Sequence, residues 1–303
     1  MQQNKLTIVP LHLGEPIPLP VPITDDLAVD TVEGVLSPDH FDLWRDYVSK
    51  KDRDTLSSAK VGIVHRFSSE HHIGKPEADS QDKVYKVFVL LRLIRPTTHR
   101  YSNIQVDFST GVPNVFGFTQ PMAVPNTPNL ETFNRIHYRH LQELCNLLPA
   151  FLSFVNSAPR NLVRAIRMYE SGYSDINDPL LQFVAWTIGI ESVLSRDRDK
   201  LSGSQLIARV TDQLGAETNV YSDAEVELFP EAPRPVTIKE VLRDMVEVRN
   251  RVVHGVGVPP KFDEIELRSA ATAEKIHYVD ILREAASFTL RKLILRAVEG
   301  RDA

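Results

Sequence analysis

The stretch PLLQFVAWTIGIESVLS, Pro179 to Ser195, decides the fold. Its apolar residues fall nearly all round a helical wheel, and a helix of that kind is enclosed by neighbours on every side. It therefore reads as the central helix of a helical domain. Working outward, residues 130–157 and 159–171 also read as helices, with Pro159 as the break between them. Residues 203–215 make an amphipathic helix, EAPRPVT (231–237) a proline-marked linker, and residues 237–254 and 262–297 two further helices. The expectation for residues 130–303 is an all-α bundle.

Residues 1–129 have another character. Twelve of the 20 prolines fall in residues 1–130. The segment EPIPLPVPIT (15–24) can be extended or polyproline-like but not helical. SPDHFDLWRDYV (37–48) has the look of a short helix, with Ser37 as N-cap and Pro38 at its first position. KVGIVHRFS (60–68) and NIQVDFST (103–110) carry the alternation and β-branching of strands. QDKVYKVFVLLRLIRP (81–96) suits a helix or a buried strand; its length and polar start favour helix. The whole chain is thus expected to be α+β, a mixed α/β region over 1–129 followed by helices over 130–303.

Composition sets limits on function. A chain of 303 residues can bury a sizeable core. Its net charge of -5 argues against a protein that coats nucleic acid non-specifically, although a local basic patch is compatible with it. The single cysteine, Cys145, makes no internal disulfide and reads as a small buried hydrophobe, as in a reducing compartment. There is neither an apolar run of membrane-spanning length nor a signal-peptide pattern, so a cytoplasmic protein is expected. Walker, dinucleotide-glycine, GxSxG and CxxC motifs are absent, and no cofactor is called for.

The central helix carries one acidic residue, Glu191, on the side of Leu180, Val184 and Thr187. A carboxylate there needs a partner. The helix over 237–254 offers one. Advancing about 100° per residue from Val248, the residues Met245, Val252, Leu242, Val253 and Val246 form an apolar arc, and Arg249 falls inside it. An arginine so placed must be paired or must line a polar cleft. Glu191 and Arg249 are therefore expected to face one another.

The same helix ends in VRNRVVHG, Val248 to Gly255. Asn250 and His254 are four apart, so the amide can orient the imidazole, and Gly255 stands where a helix C-terminus favours glycine. Cleaving RNA without a metal requires a proton carrier at the 2′-hydroxyl and stabilisation of charge on the phosphate. Histidine suits the first task and arginine the second. The alternative is structural: His254 caps the helix and Arg249 makes an ion pair.

At these residues the sequence resembles the HEPN superfamily, whose mark is an arginine, a polar residue, a few further positions, and a histidine. The Gly255 that follows, and the acid in IGIESVLS, are similar to the ApeA-like branch. The resemblance covers roughly residues 130–300; residues 1–130 carry none. It implies a helical bundle that dimerises so that the two RN…H segments face each other, each cleft taking an arginine and a histidine from both chains. Many members are metal-independent endoribonucleases of prokaryotic defence and toxin systems. Others are non-catalytic RNA-binding or assembly modules. Carried over, Arg249 and His254 take the catalytic positions, Asn250 the polar supporting position, and Glu191 supports Arg249.

Other clusters have weaker spacing. Arg160, Arg164 and Arg167 form one basic stripe, either an RNA-phosphate track or a solvated face, and Arg251 is a further candidate RNA contact. Arg283, Arg291, Lys292 and Arg296 read as a solvated face of the last helix. His137 and His140 read as a surface pair rather than metal ligands, and His65, His71 and His72 give equally thin evidence for metal. RNA and a second copy of the chain are the expected partners, and the first region is expected to sense a trigger or partner protein.

Overall fold

The computed structural model describes residues 4–11, 13–32, 60–69, 74–96, 101–111, 114–118, 136–174, 176, 178–195, 201–218, 237–258, 266–268 and 275–300. The short helix expected over 37–48, the histidines at 71 and 72, and the linker over 231–236 lie outside these residues. The chain forms two compact units, one of residues 1–124 and 130–152, the other of residues 125–129 and 153–303. It is α+β, as expected.

The first unit is built on an antiparallel sheet of six strands: β1 (Lys5–Leu11), β2 (Val21–Thr24), β3 (Leu27–Thr31), β4 (Val61–Phe67), β5 (Ile104–Asp107) and β6 (Asn114–Phe118). The spatial order is β2-β3-β4-β1-β5-β6. Helix α1 (Lys75–Ile94) packs against β1 and β4, so the ambiguous run over 81–96 is helical. Pro76 occupies its first turn, and the chain leaves the helix at Arg95 in an extended conformation, the geometry demanded of a residue before Pro96.

Side chains alternate across the sheet, so the pairing register sorts them onto two faces. Thr7 pairs with His65 on one side and Gln105 on the other, which groups Lys5, Thr7, His65 and Gln105 on one face. Helix α1 answers this polar face. Lys5 Nζ lies 3.0 Å from Glu77 Oε1 with both side chains buried, and the Gln105 amide donates to the Glu77 carbonyl. Ser80 Oγ lies 2.6 Å from Thr7 Oγ1 and 2.6 Å from His65 Nδ1. His65 Nε2 in turn meets Asp26 Oδ2 at 3.0 Å. The opposite face carries the apolar cluster Ile8, Val32, Val64, Ile104, Val106 and Val115.

Helix α2 (Tyr138–Ser157) begins later than residue 130. Ile136 instead forms an isolated bridge with Leu13, and α2 through residue 152 belongs to the sheet unit rather than to the helical one. His140 is buried, and its Nδ1 accepts the His137 backbone N–H, so the expected surface pair is a helix-start contact instead. Cys145 is half-buried, less enclosed than expected; burial pushes its thiol up, and Sγ donates to the Pro22 carbonyl.

The second unit holds α3 (Arg160–Ser174), α4 (Pro179–Leu194), α5 (Gly203–Leu214), α6 (Ile238–Val253) and α7 (Tyr278–Val298). Helix α4 packs against α3, α5, α6 and α7, the central place its composition demands. Its start is fixed by Asp178, whose carboxylate accepts the Leu180 and Leu181 N–H groups, with Pro179 in the first turn. Two glycines permit the close packing. A Cβ on Gly172 would stand 2.3 Å from Trp186 Nε1, and one on Gly189 would stand 2.5 Å from Leu290 Cδ2.

Two expectations for this unit need correction. Residues 266–268 and 275–277 do not belong to the last helix: β7 (Glu266–Arg268) and β8 (Lys275–His277) pair antiparallel, and α7 starts at Tyr278. The segments EIELR and EKIHY have a strand-like alternation that outweighs their helix-forming residues. Arg283 and Arg291 are buried rather than solvated, and Arg291 lies over the Phe288 ring.

Candidate functional site

Helix α6 buries Ile238, Val241, Leu242, Met245 and Val248. This arc is displaced from the expected one, because its last turn has little cover among the described residues. Val252 and Val246 are half-buried, and Val253 is 50 % exposed. Arg249 lies within the arc about 100° from Val248, on the side facing α4.

There it meets Glu191. Arg249 Nη2 lies 2.8 Å from the Glu191 carboxylate, with side-chain exposures of 27 % and 28 %. The expected pairing is present, in a setting between a surface ion pair and a core one. Arg249 Nη1 also donates to Asn250 Oδ1 at 2.9 Å. The asparagine therefore holds the guanidinium, and its amide oxygen is not turned to the imidazole as expected. Arg249 Nε is buried and has no hydrogen-bond partner among the described residues.

His254 closes the helix. The Val256 N–H donates to the Arg251 carbonyl and the Gly255 N–H to the Val252 carbonyl, with Gly255 at φ +72. These two bonds define a Schellman ending in which Gly255 supplies the left-handed residue. His254 is the last residue before it. Its side chain is exposed and has no hydrogen bond or ion pair among the described residues. Arg251 Nε reaches the Gly257 carbonyl at 3.5 Å, across the same turn.

An open cleft lies beside the ion pair. Thr187, Ile190 and Glu191 of α4 form one wall; Leu242, Met245, Val246, Arg249 and Asn250 of α6 form another; and Leu201, Gly203 and Leu206 at the start of α5 complete it. The start of α5 is fixed by a capping box, with the Ser202 side chain accepting the Gln205 N–H while Gln205 Oε1 accepts the Ser202 N–H. Six of the lining residues are aliphatic or methionine side chains, and the charged and amide groups are Glu191, Arg249 and Asn250.

The structure thus brings Glu191, Arg249 and Asn250 together at one cleft. His254 is not among the lining residues. Arg160, Arg164 and Arg167 are exposed along α3, as one stripe, and none of them lines the cleft. No group of three metal-ligating side chains occurs among the described residues, and none of their helices is long and apolar enough to cross a membrane.

Sequence reasoning missed the α5 wall. The signal for it was present in SGSQ (202–205), a serine three residues ahead of a glutamine at a helix start. It also missed the polar seam of the first unit. There, hydrogen bonds from Lys83, Thr24 and His65 outweigh the upward push of burial and hold the Asp26 carboxyl well below the usual carboxylate range. Burial lowers the His65 imidazole, with Asp26 opposing it. Compared with family models, with curated proteins and with solved structures, the chain finds no match in any of the three.

Proposed function

We propose that this chain is a metal-independent endoribonuclease of HEPN-like type, working as a homodimer through its helical unit. The observation that carries the reading is Arg249. It stands half-buried at the edge of an open cleft, oriented by Glu191 on one side and Asn250 on the other, where a purely structural helix would place an aliphatic residue.

In the proposed reaction, His254 takes the proton from the ribose 2′-hydroxyl as that oxygen attacks the adjacent phosphorus. The P–O5′ bond breaks, the leaving 5′-oxygen takes a proton from water, and His254 returns its proton to the hydroxide so formed. A 2′,3′-cyclic phosphate and a 5′-hydroxyl result. Arg249 stabilises the charge that collects on the phosphate oxygens. General acid–base help of this kind is worth about 10²–10⁴ in rate. A second copy of the chain would bring its own Arg249 and His254 to the same cleft, compensating for the position of His254 outside the lining of one chain. Arg160, Arg164, Arg167 and Arg251 are assigned to RNA phosphates. The sheet unit is assigned the sensing of a trigger, and the setting is a cytoplasmic defence or toxin system.

The alternative is a non-catalytic HEPN module that binds RNA or protein. It is favoured by two facts: Arg249 is already neutralised by Glu191, and nothing among the described residues orients the His254 ring. Incubating the purified protein and its His254→Ala variant with mixed RNA in EDTA separates the two. Cleavage by the parent that is lost in the variant supports the enzyme; intact RNA with both proteins supports the module.

A further inference from the structure

We infer that the cleft between α4, α5 and α6 is a nucleobase pocket that takes a guanine of the RNA substrate next to the scissile phosphate. The inference rests on the ribonuclease reading and adds what that reading lacks, a basis for choosing where to cut. The cleft is open to solvent and bounded by three helices, the kind of concave, largely apolar place in which small ligands are held. Ile190, Leu201, Leu206, Leu242, Met245 and Val246 supply apolar walls, the surroundings an unstacked base seeks when it leaves a single strand.

The polar end selects the base. Glu191 offers carboxylate oxygens, which only accept. Asn250 has its Oδ1 committed to Arg249, leaving its amide N–H groups without a protein partner among the described residues, and these only donate. A base that presents adjacent N–H donors beside a carbonyl acceptor matches this edge. Guanine does so, with N1–H and N2–H toward Glu191 and O6 toward Asn250. Adenine and cytosine instead bring an unprotonated ring nitrogen against the carboxylate, and uracil has a single N–H. Because Arg249 holds both Glu191 and Asn250, it couples the base-reading end of the cleft to the residue assigned to the phosphate.

The chain has four methionines, and Met245 lines the cleft, so methyl-labelled methionine gives a direct probe. The full-length protein, labelled at the methionine methyls, would be titrated in EDTA with each of the four nucleoside 5′-monophosphates and with inorganic phosphate. Met245→Leu assigns the resonance. The expected result is a saturable shift of the Met245 signal with guanosine monophosphate, at a midpoint at least tenfold below those of the other three, and no shift with phosphate alone. In Asn250→Ala the preference for guanine should fall several-fold. A Met245 signal unmoved by all four nucleotides overturns the inference, as does an equal response to all four or one reproduced by phosphate. The readout needs no catalysis: RNA cleavage without a Met245 response sinks the pocket alone, and a guanine response without cleavage sinks the ribonuclease reading alone.

Discussion

Replacing Glu191 with glutamine keeps the shape of the side chain and leaves Arg249 facing the cleft without its counter-charge. The size of the effect follows from the setting. Fully exposed ion pairs are worth about 0.2–1 kcal/mol. Removing one partner of a fully buried pair costs about 3–5 kcal/mol. With side-chain exposures of 27 % and 28 %, the pair at 2.8 Å lies between these limits, so a loss of about 1–2 kcal/mol is expected. Arg249→Met should cost a similar amount by stranding Glu191. The double variant has no stranded charge, and it should cost no more than either single change. A double-mutant cycle by urea denaturation, followed through the helical signal, would then give a coupling energy of about 1–2 kcal/mol. Single effects that add within about 0.3–0.5 kcal/mol would refute the reasoning, because they would mean the two side chains do not support one another.

Three further outcomes follow from other parts of the molecule. Lys5→Met leaves Glu77 charged inside the sheet–helix seam with side-chain exposures of only 2 % and 3 %, and should destabilise by about 3–5 kcal/mol in the same denaturation assay. The folded chain holds His65 below its ordinary value of 6.5, so the unfolded chain takes up that proton first. Stability should therefore fall as pH drops below about 6.5, and His65→Gln should flatten that slope in denaturation midpoints measured from pH 7.5 to 5. Sedimentation velocity should give twice the 34.2 kDa mass of one chain, and a monomer at micromolar concentration would remove the shared cleft from the proposal.

What could be read in the sequence, and what could not, follows a physical division. Local periodicity placed α1, β4, β5 and α4, because a buried helix or strand must carry its apolar pattern within a single segment. The Glu191–Arg249 pairing was legible for a different reason: each charge stood where burial would be costly without the other. The polar seam of Lys5, Thr7, His65, Glu77 and Ser80 was not legible. Its hydrogen-bonded pairs are up to 73 positions apart and come together only through the strand register and the placement of α1. Nor was the pairing of β7 with β8, whose helix-forming residues hide a strand alternation. The orientation of Asn250 was lost to a choice of rotamer, since the sequence shows that it can reach His254 but not that it reaches Arg249 instead.

The proposed reaction depends on the chemistry at Arg249 and His254. The decisive measurement is the end-group analysis of RNA incubated with the purified protein in EDTA. Fragments ending in 2′,3′-cyclic phosphate and beginning with 5′-hydroxyl are expected from the parent, reduced by about 10²-fold or more in His254→Ala, whose exposed side chain can be removed at little cost to stability. Intact RNA, or fragments with 3′-hydroxyl and 5′-phosphate ends, would contradict the proposed reaction.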